Sequence, residues 1–149
     1  MSNLWGPHIW NFLHIFCEKI NNDKFLQRKT DTIKFLQSVA TNLPCPDCSE
    51  DAKNILNNHP IKVNNKEELI KYIYYFHNHI NQKLNKENYN IESLEIYKKG
   101  NIHIAFQNYL KSLEINNKAN ENLILHRFGI ARNIKKISEF FQNNLDLFT

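Results

Sequence analysis

The chain of 149 residues is 42% hydrophobic, which is enough for a core, and its formal net charge is +4. Its length predicts one domain, or one domain with an appendage, and the scarcity of glycine (3) and proline (4) favours helices over a turn-rich β fold. A charge this mild argues against nucleic acid binding. The chain opens without the basic segment and apolar run of a signal peptide, and no stretch approaches the roughly 18 apolar residues of a membrane span. We therefore expect a cytoplasmic protein with neither feature.

Residues 4–20 are predicted to form the first helix, with Pro7 in its first turn. Apolar residues recur there at three- and four-residue spacing in two stripes, so this helix should be central. An aromatic stripe is usually core packing, and a satisfied core histidine would explain His14 equally well. The two stripes are Trp10, Leu13, His14, Cys17 and Ile9, Phe12, Phe16, Ile20.

Three further helices are predicted, over residues 24–42, 47–58 and 66–86. Pro60 ends the third helix of the chain, because the residue before a proline is biased away from the helical conformation. Asn64 or Asn65 caps the fourth. The predicted buried residues are Phe25, Ile33, Phe35, Leu36, Val39 and Ala40 in the second helix, Ala52, Ile55 and Leu56 in the third, and Ile73, Phe76, Ile80 and Leu84 in the fourth.

Two of the three cysteines form a C-x-x-C pair within residues 43–48, where the third helix begins. Pro46 suits the first helical position, so Cys45 should cap the helix and Cys48 should lie one turn inside it. A helix N-terminus stabilises a thiolate through its free N–H groups, which predicts a lowered thiol pKa. A redox-active disulfide that exchanges with other thiols is therefore the favoured interpretation.

Other interpretations of the cysteine pair remain open from the residues alone. A C-x-x-C can be half of a zinc site, but no second C-x-x-C is present and Cys17 is isolated. His77 and His79 are two residues apart, not three to five. A thioredoxin-like βαβ pattern is absent, and three cysteines do not make a secreted disulfide scaffold. A zinc-stabilised helical binding module and a basic adaptor without chemistry are the alternatives.

The end of the fourth helix combines a ring, an amide and two cations. His77 and Asn81 lie one turn apart, and Lys83 and Lys86 extend the polar end. Such a set offers ring stacking, amide hydrogen bonds and charge for a pyrophosphate. A solvated helix end is the alternative.

Taken together, three blocks of the sequence resemble the signature blocks of the Erv/ALR family of FAD-linked sulfhydryl oxidases, in particular its small members encoded by large cytoplasmic DNA viruses. The resemblance covers residues 4–97. The blocks are Trp5-Gly6-x-x-x-Trp10-x-x-x-His14, Leu43-Pro44-Cys45-x-x-Cys48 and His77-Asn78-x-Ile80-Asn81-x-Lys83-Leu84-x-Lys86.

The resemblance implies an all-α four-helix bundle that binds FAD at its mouth, with a short fifth helix. It also implies that Cys48 is the sulfur next to the flavin, and that Cys45 is the outer sulfur attacked by a dithiol protein. Oxygen would accept the electrons and give hydrogen peroxide, and the protein would be a homodimer. The implied cofactor-binding residues are Trp5, Gly6, Trp10, His14, His77, Asn78, Asn81, Lys83, Lys86 and Tyr97.

The chain departs from the family pattern at several positions. The usual Leu-Gly-Lys is Leu-Asn-Lys at residues 84–86, and Tyr97 or Tyr89 stands in for the tryptophan near the adenine. Only Cys17 is left outside the C-x-x-C pair, so neither a shuttle pair nor a structural disulfide can form within the chain. A small thioredoxin-like substrate should therefore reach the pair directly, and Cys17 should be a buried free thiol.

We expect residues 1–99 to form the oxidase domain and residues 100–149 a helical extension. Two helices are predicted in the extension, over residues 102–115 and 122–145. Padding of the bundle or of a dimer interface is the simpler interpretation, and a partner-docking or anion-binding surface is the alternative. The host cytoplasm, and the virion as well if the protein is viral, is the expected location. The last helix has an apolar stripe of Phe128, Ile134, Ile137 and Phe141.

Overall fold

A computed structural model describes residues 5–119 and 123–149. Over these ranges the chain forms α-helices and two short 3₁₀ helices without any strand, which confirms the predicted all-α class. No helix within them is long and apolar enough to cross a bilayer. The α-helices are α1 (Gly6–Lys19), α2 (Asn22–Gln27), α3 (Lys29–Thr41), α4 (Pro46–Asn58), α5 (Lys66–Lys83), α6 (Ile102–Ala119) and α7 (Ile124–Asn143); the 3₁₀ segment is Ile91–Lys99 and the terminal turn is Leu145–Phe148.

Helix α1 lies at the centre of the molecule, as predicted. It packs against α3, α5, α6 and the 3₁₀ segment, and both of its predicted apolar stripes are buried. A helix that is surrounded on several sides must be apolar on several sides, which explains why the sequence of α1 does not divide into one apolar face and one polar face.

The single helix predicted over residues 24–42 is wrong, because the chain leaves the helical conformation at Arg28. Helix α2 begins where the Asn21 side chain accepts a hydrogen bond from the Lys24 N–H at 3.0 Å. At the break, the Arg28 guanidinium donates to the Asp146 carboxylate at 2.9 Å. Asp146 lies 118 residues further along the chain, so the local sequence pattern around Arg28 could not indicate this contact.

Helix α5 ends at Lys83, before its predicted end at residue 86, in a Schellman motif. The Lys86 N–H donates to the Asn81 carbonyl at 2.8 Å, and the Asn85 N–H donates to the Gln82 carbonyl at 3.2 Å. Asn85 has a φ of 54°, a left-handed conformation that asparagine tolerates better than most residues. Asn85 thus fills the place of the usual glycine without disturbing the turn.

Leu84, which was predicted to be buried, and Phe128, a member of the predicted apolar stripe of the last helix, are both exposed near helix ends. Leu84 is 41% exposed, because α5 has ended and its side chain no longer follows the buried line. Phe128 is 65% exposed, because the first turns of α7 extend away from the core, and Ile130 is the first buried residue of that helix.

The last two α-helices pack on the bundle through aromatic rings. Phe12 stacks on Tyr109 with ring centroids 5.1 Å apart, and Phe106 stacks on Phe141 at 3.9 Å. Helix α6 continues to Ala119, beyond its predicted end at residue 115, whereas the predicted start of the last helix at residue 122 lies outside the described ranges. The division into an oxidase domain and an extension stays a prediction.

Candidate functional site

The cysteine pair lies at the start of α4, as predicted. Cys45 is the N-cap and Cys48 lies one turn inside, with Pro46 at the first helical position. The Cys48 N–H donates to the Cys45 sulfur at 3.2 Å. The structure has all three cysteines as free thiols, with Cys17 buried and the pair half-buried.

The segment before the pair is held by hydrogen bonds from two helices. The Leu43 N–H donates to the Ser49 hydroxyl at 3.2 Å, and that hydroxyl donates back to the Leu43 carbonyl at 3.1 Å. The same carbonyl accepts from His126 Nε2 at 2.8 Å. The sulfurs are therefore attached to a fixed piece of backbone between α4 and α7.

The two sulfurs differ in their surroundings. Burial raises the pKa of Cys48 to about 12, and the hydrogen bond and charge of Cys45 add to the effect. The predicted lowering of the thiol pKa is therefore wrong for Cys48 in the reduced pair. The physical reason is that burial of the Cys48 sulfur disfavours its charged form, and this effect outweighs the helix N-terminus.

A cavity of about 440 Å³ opens between α1, α5 and the loop that leads into the 3₁₀ segment. This volume falls within the range of about 300–1,000 Å³ typical of small-molecule and cofactor sites. Rings of Trp10, His77 and Tyr97 line it, together with the Asn81 amide and the Lys86 side chain. The cavity thus offers flat apolar surfaces, a hydrogen-bonding group and one cation.

The rings of the cavity wall stack on one another, which fixes their orientation. The rings of Trp10 and His77 are nearly parallel, with centroids 3.9 Å apart. The ring of Tyr89 also stacks on His77, with centroids 4.7 Å apart. His14 stacks on Tyr97 at 4.5 Å. The hydroxyl groups of Tyr89 and Tyr97 are 2.7 Å apart. The wall is therefore held together by contacts among its own residues.

His14 and His77 form a buried hydrogen-bonded pair. His14 Nε2 and His77 Nδ1 are 2.9 Å apart, so one ring donates and the other accepts. Burial lowers the pKa of His14 to about 3, with the neighbouring His77 as a second cause. Burial also lowers the pKa of His77 to about 4, helped by the charge of Lys86. Both rings are neutral near pH 7, and the tautomer of His77 depends on that of His14.

Cys48 lies on the far side of one cavity wall. It lines a small cleft of about 20 Å³ that shares Ile80 and Leu84 with the cavity. Lys83 and Asp51 complete the cleft and form an ion pair at 2.9 Å. Cys48 thus adjoins the cavity wall across Ile80 and Leu84, and the exposed Leu84 lines both spaces.

The structure brings together some of the predicted cofactor-binding residues and separates others. Four do not line the cavity: Trp5 and His14 are buried beneath it, Asn78 donates to the Tyr89 carbonyl at 3.1 Å, and Lys83 pairs with Asp51. Their roles toward a cofactor stay predictions. The six that line the cavity are Gly6, Trp10, His77, Asn81, Lys86 and Tyr97.

Several cavity residues were missed by the sequence interpretation. Pro7, His8 and Asn11 line the cavity from α1, and Tyr89 joins Tyr97 instead of replacing it. Pro7 and Asn11 are one turn apart beside Trp10, so helical spacing could have indicated them. The family resemblance had offered Tyr89 as the alternative to Tyr97, and the Asn78 side chain holds Tyr89 in place.

The zinc alternative finds no support in the described parts of the chain. Across residues 5–119 and 123–149, no group of three or more His, Cys, Asp or Glu side chains could hold a metal ion. A closed structural zinc site needs four such ligands.

Comparisons of the sequence with family models and with known proteins point to the same family. The model of the Erv1 / Alr family matches residues 7–100. A "FAD-linked sulfhydryl oxidase" of African swine fever virus is 31% identical over 110 residues, which cover 74% of this chain and 87% of the viral protein. The "FAD-linked sulfhydryl oxidase ERV1" of Arabidopsis thaliana is 27% identical over 81 residues, which cover 54% of this chain and 42% of the plant protein. No solved structure gives a significant match. The chain therefore belongs to the Erv1/Alr family.

Proposed function

We propose that this protein is an FAD-linked sulfhydryl oxidase that forms disulfides in partner proteins. The observation that carries the proposal is the position of Cys48, which lies behind one wall of a ring-lined cavity, while its partner Cys45 is the N-cap of the same helix, one turn away. This geometry suits transfer of electrons from an outer sulfur to an inner one, and then into the cavity.

The residues of the cavity fit FAD. Trp10 and His77 offer flat faces for a ring system, and Asn81 offers an amide for its polar edge. Lys86 can pair with the pyrophosphate, and Tyr97 can stack on the adenine. When bound, FAD supplies a two-electron acceptor for the reduced cysteine pair and a route to oxygen, with hydrogen peroxide as the product.

Exchange with the substrate begins on the oxidised pair. A substrate thiolate attacks the Cys45 sulfur, the bond between Cys45 and Cys48 breaks, and Cys48 leaves as a thiolate. A second substrate thiolate then attacks the substrate sulfur of the mixed disulfide and releases Cys45. Two electrons and two protons pass from the substrate dithiol to the pair, which ends as two thiols.

The raised pKa of Cys48 works against its departure as a thiolate, because a thiol of high pKa leaves less readily and is mostly protonated near pH 7. Part of the increase comes from Cys45, and this part is absent while Cys45 is held in the mixed disulfide. Release of Cys48 in the first step is easier for that reason.

The substitution Cys48→Ser tests the proposal. We expect the variant to keep its flavin but to lose at least about 1,000-fold in peroxide production from dithiothreitol, because no disulfide can form. Cys17→Ala is the matched control: its thiol is buried away from the cavity, and burial raises its pKa, so turnover should persist. Normal peroxide production by Cys48→Ser would overturn the mechanism.

Partner, assembly and location follow from the family resemblance. We propose a small thioredoxin-like dithiol protein as the substrate, because this chain has no second cysteine pair to act as a shuttle. A homodimer in the host cytoplasm is the proposed form. Sedimentation of the purified protein would test the dimer, and a monomer at micromolar concentration would contradict it.

A further inference from the structure

We infer that the start of α7 is a docking surface for the polypeptide that carries the substrate dithiol. This α7 docking surface consists of four apolar residues, and the inference rests on the proposed oxidase function. The four residues are Leu123, Ile124, Leu125 and Phe128.

The start of α7 is joined directly to the redox segment. His126 Nε2 donates to the Leu43 carbonyl, two residues before Cys45, at 2.8 Å. One turn later, the Ile130 carbonyl accepts from the Asn42 amide at 3.3 Å. The start of α7, which carries the docking surface, is therefore held at a fixed position relative to the redox segment.

A groove of about 210 Å³ separates α4 from α7 at this point. Ser49 and Lys53 line it from α4, and Leu125 and His126 line it from α7. Ser49 lies one turn after Cys45 and donates its N–H to the Cys45 carbonyl at 3.0 Å. A polypeptide chain with a cysteine at the Cys45 sulfur can thus continue along this groove.

The apolar side chains beside the groove are unusually exposed. Leu125 is 87% exposed, Phe128 65% and Ile124 57%. These three residues follow helical spacing, so they form one contiguous patch and not scattered surface residues. Contiguous apolar patches on soluble proteins mark sites that bind other molecules.

The size and place of the patch favour a transient polypeptide over a second copy of the chain. Four side chains at one helix end offer a few hundred Å², whereas a stable protein interface needs about 800 Å² from each partner. A substrate thiol must come within bonding distance of Cys45, so the residues flanking it must cover the adjoining surface. The fitting occupant is therefore a dithiol protein with apolar residues beside its cysteines, because burial of those residues against the patch is favourable.

Two synthetic peptides with the same Cys-Gly-Gly-Cys core provide the test. One is flanked by leucines and the other by serines, and peroxide production by the full-length holoenzyme gives kcat/KM for each. We expect the wild-type protein to prefer the leucine-flanked peptide by about tenfold, which corresponds to about 1.4 kcal/mol. The ratio should fall to near one in the double variant Leu125→Ser, Phe128→Ser.

Matched variants keep the test specific. Leu125→Asp alone, at the most exposed of these positions, should lower the ratio without disturbing the core. Ile104→Ser is the control, because Ile104 is 57% exposed but lies far from the docking surface. Its neighbour His103 contacts Phe141, and Phe141 is about 20 Å along α7 from Phe128. This control should keep the wild-type ratio.

The possible outcomes separate the two proposals. An unchanged ratio in the double variant, or no preference in the wild type, would overturn the docking surface while dithiothreitol turnover still supports the oxidase. A wild-type dimer that becomes monomeric in the double variant would assign the patch to a second copy, which also overturns the inference. If the wild type fails to oxidise dithiothreitol, both proposals fall.

Discussion

Helix α1 buries aromatic rings on two sides, and the two sides differ in what the rings surround. Toward α6, Phe12 stacks on Tyr109 at 5.1 Å and both rings are fully buried. Toward α5, Trp10 stacks on His77 at 3.9 Å along the wall of an open cavity. The same helical spacing therefore builds a closed core on one side and a candidate binding site on the other.

Polar ring atoms distinguish the two sides. On the α5 side, His14 and His77 are buried in contact with each other, and burial lowers the pKa of both rings. On the α6 side, the rings around Phe12 are mostly carbon. Burying two imidazoles is unfavourable unless each satisfies the other. An aromatic stripe thus points to a site when it carries such a pair and adjoins a cavity.

The largest effect should come from acid, which acts on the α5 side. The histidine pKa values lie near 3 and 4 in the folded protein and near 6.5 in the unfolded chain, so the unfolded chain binds more protons below pH 6.5. The contribution of the two histidines to the free energy of unfolding is fully present above pH 6.5 and should fall by roughly 5 kcal/mol between about pH 7 and pH 4.5. Urea denaturation at both pH values measures the change.

A variant isolates the histidine contribution to this change. His14→Gln removes one titrating ring while its amide can still bond to His77, so the fall in unfolding free energy should shrink. His103 is exposed, so His103→Gln should lose as much unfolding free energy in acid as the wild type does. Identical acid sensitivity in all three proteins would show that the pair does not govern the response.

A smaller effect is expected on cofactor retention. His77→Ala removes a ring of the cavity wall, so FAD dissociation on dilution, followed by flavin fluorescence, should increase by about tenfold. His79→Ala, two residues away on the same helix and outside the cavity lining, should retain FAD normally. Equal retention by both variants would remove His77 from the site.

The smallest effect concerns the α6 side and has the opposite sign. The Tyr109 hydroxyl is buried with no hydrogen-bond partner among the described residues. Tyr109→Phe removes this unpaired group and should stabilise the protein by about 1 kcal/mol in urea denaturation. Cofactor retention should not change. A loss of stability would reveal a partner for the hydroxyl and blur the contrast between the two sides.

Much of the fold could be predicted because its signals are local. Cap residues marked the starts of α4 and α5, with Cys45 and Asn65 in the predicted positions. The break at Arg28 could not be predicted, because it is stabilised by Asp146 from the other end of the chain. The exposure of Phe128 was also missed, since periodicity shows a stripe but not how far the neighbouring core extends.

The candidate site was predictable in its residue types more than in its arrangement. Trp10 and His77 are in contact although 67 positions separate them in the sequence, and only the three motif blocks taken together pointed to their proximity. The pKa of Cys48 was predicted in the wrong direction, because the helix start was visible in the sequence but the burial was not.

A visible absorption spectrum of the purified protein, recorded during an anaerobic titration with dithiothreitol, tests whether electrons pass from the cysteine pair to a bound flavin. We expect a flavin spectrum that bleaches in the wild type and recovers when air is admitted, whereas Cys48→Ser keeps the flavin spectrum but bleaches at least about 100-fold more slowly. A colourless protein without releasable flavin, or equally fast bleaching of both proteins, would contradict this expectation.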